Sequence, residues 1–147
     1  MKKNDFKRTE YYLYQYRELS ALIECIEIQI NDIENDVNIA GVSYEEKSAP
    51  TNKFNSSVEN DVIKRETYLP DVISKLKSKK QKYASLKKRI EIGLNQLVEE
   101  ERKVVELRYF PKKKPTWVSI GLDLGFDKDH CQRIKNSAIN NLSKYIC

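Results

Sequence analysis

Apolar residues in the N-terminal part of the chain fall on one helical stripe. Tyr12, Tyr16, Leu19, Ile23, Ile26, Ile30, Ile33 and Val37 follow one another at alternating intervals of four and three, the heptad pattern of a helix lying along a single partner. Glu18, Glu24, Glu27, Asp32 and Glu34 stand between them, so the remaining faces are acidic. The pattern predicts a helix over about residues 5–37. It lapses in NIAGVSYEEKSAPTNKFN, residues 38–55, where Gly41, Pro50 and many polar residues predict a loop. Ser56 and Glu59 have the spacing of a capping box, whose hydroxyl and carboxylate satisfy orphan amides, and so predict a second helix from near residue 57. Leu69, Leu76, Tyr83, Ile90 and Leu97 then recur every seven residues, with Ile73 and Leu94 at partner positions and Lys80 and Lys87 interrupting them. Pro70 lacks an amide donor and clashes with the preceding turn, so it either kinks this helix or opens a new one.

The second helix carries Lys75, Lys77, Lys79, Lys80, Lys82, Lys87, Lys88 and Arg89. An antiparallel hairpin with the acidic first helix would join opposite charges as well as apolar seams. The same pairing could be made within one chain or between two, as a coiled-coil homodimer.

The C-terminal part changes character. Val98–Tyr109 predicts a helix with Glu99, Glu100 and Glu101 complementing the dipole of its first turn and Val104, Val105, Leu107 and Phe110 as its apolar side; Pro111 ends it. After KKKP, Thr116 caps a short helix with Trp117, Ile120 and Leu124 inward and Gly121 where another element must come close. Gly125, four residues later, supplies the positive φ of a tight turn. Phe126, Cys131 and Ile134 are the next apolar positions, and the spacing is that of a helix-turn-helix. If Asp127 caps the last helix, about residues 127–140, then Cys131, Ile134, Ala138 and Leu142 face inward. Lys128, Asp129, Gln132, Arg133, Lys135 and Asn136 then face outward. Arg and Lys fork onto guanine, Gln and Asn onto adenine, and an acid accepts from cytosine, so this set suits the edges of bases in a major groove.

Composition agrees with a helical chain. Of 147 residues, 33% are charged and 39% hydrophobic, and only 4 Gly and 4 Pro punctuate them, too few for an all-β domain of this length. Residues 1–46 hold five basic side chains against ten acidic ones, so the net +5 leaves a strongly basic remainder, as expected of a nucleic-acid-facing end. Cys25, Cys131 and Cys147 are odd in number and far apart, without a CxxC pair, and are expected to be free thiols. One histidine, no glycine-rich phosphate loop and no apolar leader or span argue against an enzyme and a membrane partner. Asp127, Asp129, His130 and Cys131 lie close in sequence, but near-consecutive helical residues point about 100° apart and do not converge on one ion. No cofactor, metal or catalytic residue is expected, and the expected location is the cytoplasm.

ERKVVELRYF at residues 101–110, TWVSIGLDLGF at 116–126 and HCQRIKNSAINNL at 130–142 resemble region 4 of bacterial sigma-70-type factors. The order of the chain, a long helical part, a polar linker and this end, is similar to the RinA/ArpU-type regulators of phages and prophages. The resemblance implies a sigma-like DNA-binding activator of late phage genes, acting in a bacterial host cell. It places Lys128, Asp129 and Arg133 where the family's base-contacting Arg, Glu and Gln stand; two of the three keep their charge sign, and His130 replaces a usual arginine. The DNA site should therefore differ from a −35 consensus. No counterpart of the DNA-melting region of a sigma factor is present in the sequence.

The combined expectation is an all-α protein: a helical hairpin or coiled coil over residues 1–96, then a three-helix, sigma region 4-like helix-turn-helix domain over 97–147. Lys128, Asp129, Gln132, Arg133 and Asn136 are the candidate base-reading residues, and Lys112, Lys113, Lys114, Thr116 and Lys135 the candidate phosphate contacts. Expected partners are double-stranded DNA, a second copy of the chain and RNA polymerase. A protein-binding adaptor whose acidic helix grips polymerase is the competing expectation, and a DNA-binding packaging component a third.

Overall fold

The computed structural model describes the backbone of residues 3–47 and 52–147 and the side chains of residues 3–35 and 68–147. The protein is all-α, as expected. Its helices are α1 (Lys3–Lys47), α2 (Asn52–Gln96), α3 (Glu99–Tyr109), α4 (Trp117–Leu124) and α5 (Lys128–Ile146), with no strand among the described residues.

The loop expected over 38–55 is corrected at both ends. α1 continues to Lys47 and α2 already begins at Asn52. The loss of the apolar stripe does not end α1: residues 38–47 hold no proline, and the single glycine among them, Gly41, costs a helix only about 1 kcal/mol. The expected capping box is likewise not a helix start: Ser56 stands inside α2, where the preceding turn already supplies acceptors for its amides. Pro70 lies within α2, which runs through it as one helix. Pro50 falls outside the described residues.

Two compact units divide the chain, Ala21–Tyr83 and the combination of Met1–Ser20 with Ala84–Cys147. They do not follow the expected boundary between 96 and 97. In the first unit α1 and α2 meet antiparallel along part of both stripes, with Ile26 and Ile30 buried and Ile23, Ile33, Leu69, Ile73 and Leu76 half-buried. Lys80 Nζ lies 3.0 Å from Glu27 Oε1. The pair is half exposed, so it adds at most about 1 kcal/mol and serves mainly to set register.

The second unit holds the main core. Leu13, Leu19, Ile90, Val104, Val105, Ile120, Cys131, Ala138, Ile139 and Leu142 are buried there, each large aliphatic contributing about 1.5–3 kcal/mol. α5 extends beyond the expected end near 140 because its stripe continues through Ile139, Leu142 and Ile146, all buried. Gly93 of α2 permits that packing: a Cβ there would stand 2.8 Å from Leu142 Cδ2. The N-terminal turns of α1 belong to the same core. Thr9 is fully buried and donates its hydroxyl to the carbonyl of Asp5 at 2.7 Å, so the buried polar atom is satisfied.

Candidate nucleic-acid interface

α4 and α5 are joined by Gly125-Phe126-Asp127. Thr116 caps α4 as expected, its hydroxyl accepting from the Ser119 amide at 3.1 Å. Gly125 has φ 74°, the left-handed region where a Cβ is unfavourable, and its amide closes on the Gly121 carbonyl. The Phe126 amide donates to the same carbonyl at 3.0 Å. A Cβ on Gly121 would collide with the Phe126 carbonyl oxygen, so the small residue is what lets the turn fold back over α4. Asp127 stands at the cap position of α5 with extended backbone, but its side chain makes no cap hydrogen bond. The cap there is backbone geometry alone.

Cys131, Ile134, Ala138 and Leu142 are buried, which fixes the rotation of α5 about its axis. Lys128, Asp129, Arg133 and Asn136 are consequently exposed and Gln132 half-buried, all within the first three turns. His130 meets Phe126 edge-on at 4.9 Å between centroids. Arg133 and His130 share a shallow groove of about 350 Å³ with Glu100 and Glu101 of α3. Glu101 accepts from Ser137 Oγ and Asn141 Nδ2, both at 3.2 Å, and so ties the start of α3 to α5.

The candidate phosphate contacts divide. Lys112, Lys113 and Lys114 are exposed in the α3–α4 loop, and Thr116, also exposed, already uses its hydroxyl in the cap. Lys135 is turned inward. Its Nζ lies 3.5 Å from Glu10 Oε1 and 5.2 and 5.8 Å from the ring centroids of Phe6 and Trp117. Only 17% of its side-chain surface is exposed. Glu10 also accepts from the Tyr109 hydroxyl at 2.7 Å. Burial, then that bond and the Glu10 charge, push the Tyr109 phenol well above its ordinary pKa, so it stays a neutral donor. Trp117 is half-buried, with the Arg108 guanidinium 4.4 Å above its ring.

Sequence reading missed the residues of α1 that support this surface, namely Glu10, Leu13, Tyr14 and Arg17. Leu13 and Tyr14 lie off the heptad seam. The available signal was aromatic density: Tyr11, Tyr12, Tyr14 and Tyr16 are more than one seam can bury. Burial also pushes the Tyr16 phenol up, helped by the Glu91 carboxylate that accepts its hydrogen bond at 3.1 Å. Among the described residues no group of three or more His, Cys, Asp or Glu is placed to hold a metal ion, and no helix is long and apolar enough to cross a membrane. Cys25, Cys131 and Cys147 are free thiols, only Cys131 being buried.

The described residues define an all-helical protein whose C-terminal helices pack against the start of its first one. Residues 6–144 match the family described as "Protein of unknown function (DUF722)", and the chain belongs to that family. No curated protein and no solved structure matches it.

Proposed function

We propose that the protein is a sequence-specific double-stranded DNA-binding regulator, with α5 entering the major groove. One observation carries this reading: the burial of Cys131, Ile134 and Ala138 leaves Lys128, Asp129, Arg133 and Asn136 exposed on one part of a helix held by a tight glycine turn. The basic balance of residues beyond 46 supports it. The likeness of residues 101–142 to region 4 of sigma-70-type factors, and of the layout to RinA/ArpU-type regulators, supports activation of phage or prophage late genes in the cytoplasm of a bacterial host. Lys128, Asp129, Gln132, Arg133 and Asn136 read bases, and Lys112, Lys113 and Lys114 hold phosphates. Lys135, bound to Glu10, sets the position of α5 instead of meeting phosphate.

Selection of bound sequences from a random duplex library at two salt concentrations tests this. A motif that persists at the higher salt is the expected result. Binding without any motif, lost steeply with salt, refutes base reading and favours the adaptor in which a protein partner such as RNA polymerase is the specific ligand. A homodimer belongs to the proposal as well: two recognition helices select an inverted repeat. Because Ile26 and Ile30 are already buried within the chain, the dimer contact uses a face other than that seam. A single mass of one chain in sedimentation at micromolar concentration refutes the dimer.

A further inference from the structure

The α3–α4 loop is pinned at both ends by arginines. Arg17 of α1 donates from Nη1 to the Pro111 carbonyl at 2.7 Å. Arg108 of α3 donates from Nη1 to the Pro115 carbonyl at 2.6 Å. Tyr16 packs against Phe110 with centroids 4.8 Å apart, and Lys114 Nζ stands 5.2 Å from the centroid of Tyr14. Tyr14 in turn meets Tyr109 edge-on at 4.7 Å. Between the pinned carbonyls stand three consecutive exposed lysines, and among the described residues no acid lies within ion-pair distance of any of them.

Three adjacent ammonium groups repel one another, and a free loop would spread them over many conformations, each of which must be given up on binding. A loop already fixed loses less and meets a fixed array of anions in register. Neighbouring phosphates of a duplex strand are such an array. We propose that Arg17 is a positioning residue which, through the Pro111 carbonyl, holds Lys112, Lys113 and Lys114 in the conformation that receives the phosphodiester backbone of DNA. α1 is then part of the DNA-binding apparatus, and not only a dimer or partner helix. The inference rests on the duplex-binding reading above. Arg108 acts at the other end of the loop, but it also covers Trp117, so Arg17 is the cleaner probe.

The test uses the full chain and a labelled duplex, titrated over a range of salt, with Arg17→Met, Arg17→Lys, Lys112→Ala/Lys113→Ala/Lys114→Ala and Arg17→Met in that lysine-less background. Removing the three lysines flattens the salt dependence by about 0.9 for each phosphate that they neutralise. Arg17→Met is expected to weaken binding several-fold, Arg17→Lys to recover most of it by donating to the same carbonyl, and Arg17→Met to cost nothing more once the lysines are gone. Backbone NMR order parameters at Lys112–Lys114 without DNA are expected to fall in Arg17→Met. Unchanged affinity and order parameters in Arg17→Met would overturn the proposal. So would an undiminished effect of Arg17→Met in the lysine-less background, which would make Arg17 itself the phosphate-binding group. A wild-type chain that binds no duplex at any salt refutes the DNA reading itself, whereas indifference to Arg17 alone refutes only this inference.

Discussion

The Tyr109 hydroxyl donates to Glu10 Oε1 at 2.7 Å, joining residues 99 positions apart in sequence. Lys135 Nζ approaches the same oxygen at 3.5 Å, so one carboxylate of α1 gathers a phenol from α3 and an ammonium from α5. The last helix is oriented by the first.

Tyr109→Phe removes the closest donor to Glu10 and is expected to cost about 1–3 kcal/mol in urea unfolding. Its pH signature is separate. The folded chain holds the Tyr109 proton more tightly than the unfolded chain, chiefly because the phenol is buried. Its contribution is therefore complete below the ordinary tyrosine pKa of 10.0 and is lost as pH rises above it. Stability should fall on that alkaline side in the wild type and fall less steeply in Tyr109→Phe, with Tyr16 supplying part of the remaining slope. Urea melts on both sides of the tyrosine value measure the difference.

The two glycines of the α4–α5 turn should fail for different reasons. At Gly125 a side chain meets open space but must adopt φ 74°, so Gly125→Ala costs about 1–2 kcal/mol. At Gly121 the added methyl collides with the Phe126 carbonyl, which belongs to the turn backbone and cannot rotate away. Gly121→Ala is expected to cost more than Gly125→Ala, and Gly125→Asn least of the three because asparagine tolerates this region. Comparison of their unfolding midpoints gives the order.

Replacement of the exposed base-reading candidates should separate specificity from folding. Lys128→Ala and Arg133→Ala are each expected to lose about 1–3 kcal/mol of discrimination between selected and random duplexes. Both side chains are exposed on α5, so far-UV circular dichroism and the urea midpoint should stay near wild type. Equal weakening on both kinds of duplex would assign these residues to phosphate instead.

Leu13→Ala should destabilise the C-terminal helices although it lies in the first. Leu13 is fully buried, and a Leu-to-Ala change at such a site costs about 2–5 kcal/mol. For the same reason a fragment of residues 97–147 is expected to lose cooperative unfolding. It lacks Thr9, Leu13 and Leu19 of α1 and Leu86, Ile90 and Leu94 of α2, which are buried in the same compact unit. Differential scanning calorimetry of the fragment and the full chain checks this.

The amino-acid sequence by itself determined what depends on near neighbours: the heptad positions Ile26, Ile30, Ile90 and Leu94, the Thr116 cap, the roles of Gly121 and Gly125, and the rotation of α5 given by Cys131, Ile134, Ala138 and Leu142. These follow from helix geometry and backbone sterics within a few residues. Where the stripe ended, the same logic misplaced the ends of α1 and α2, because the loss of an apolar period does not by itself break the backbone hydrogen bonding of a helix. Tertiary structure alone decided that Glu10, Leu13 and Arg17 serve the last three helices and that Lys135 points inward. Those pairings join groups about a hundred positions apart, and a lysine looks the same in sequence whether its partner is water, phosphate or a carboxylate brought to it by folding.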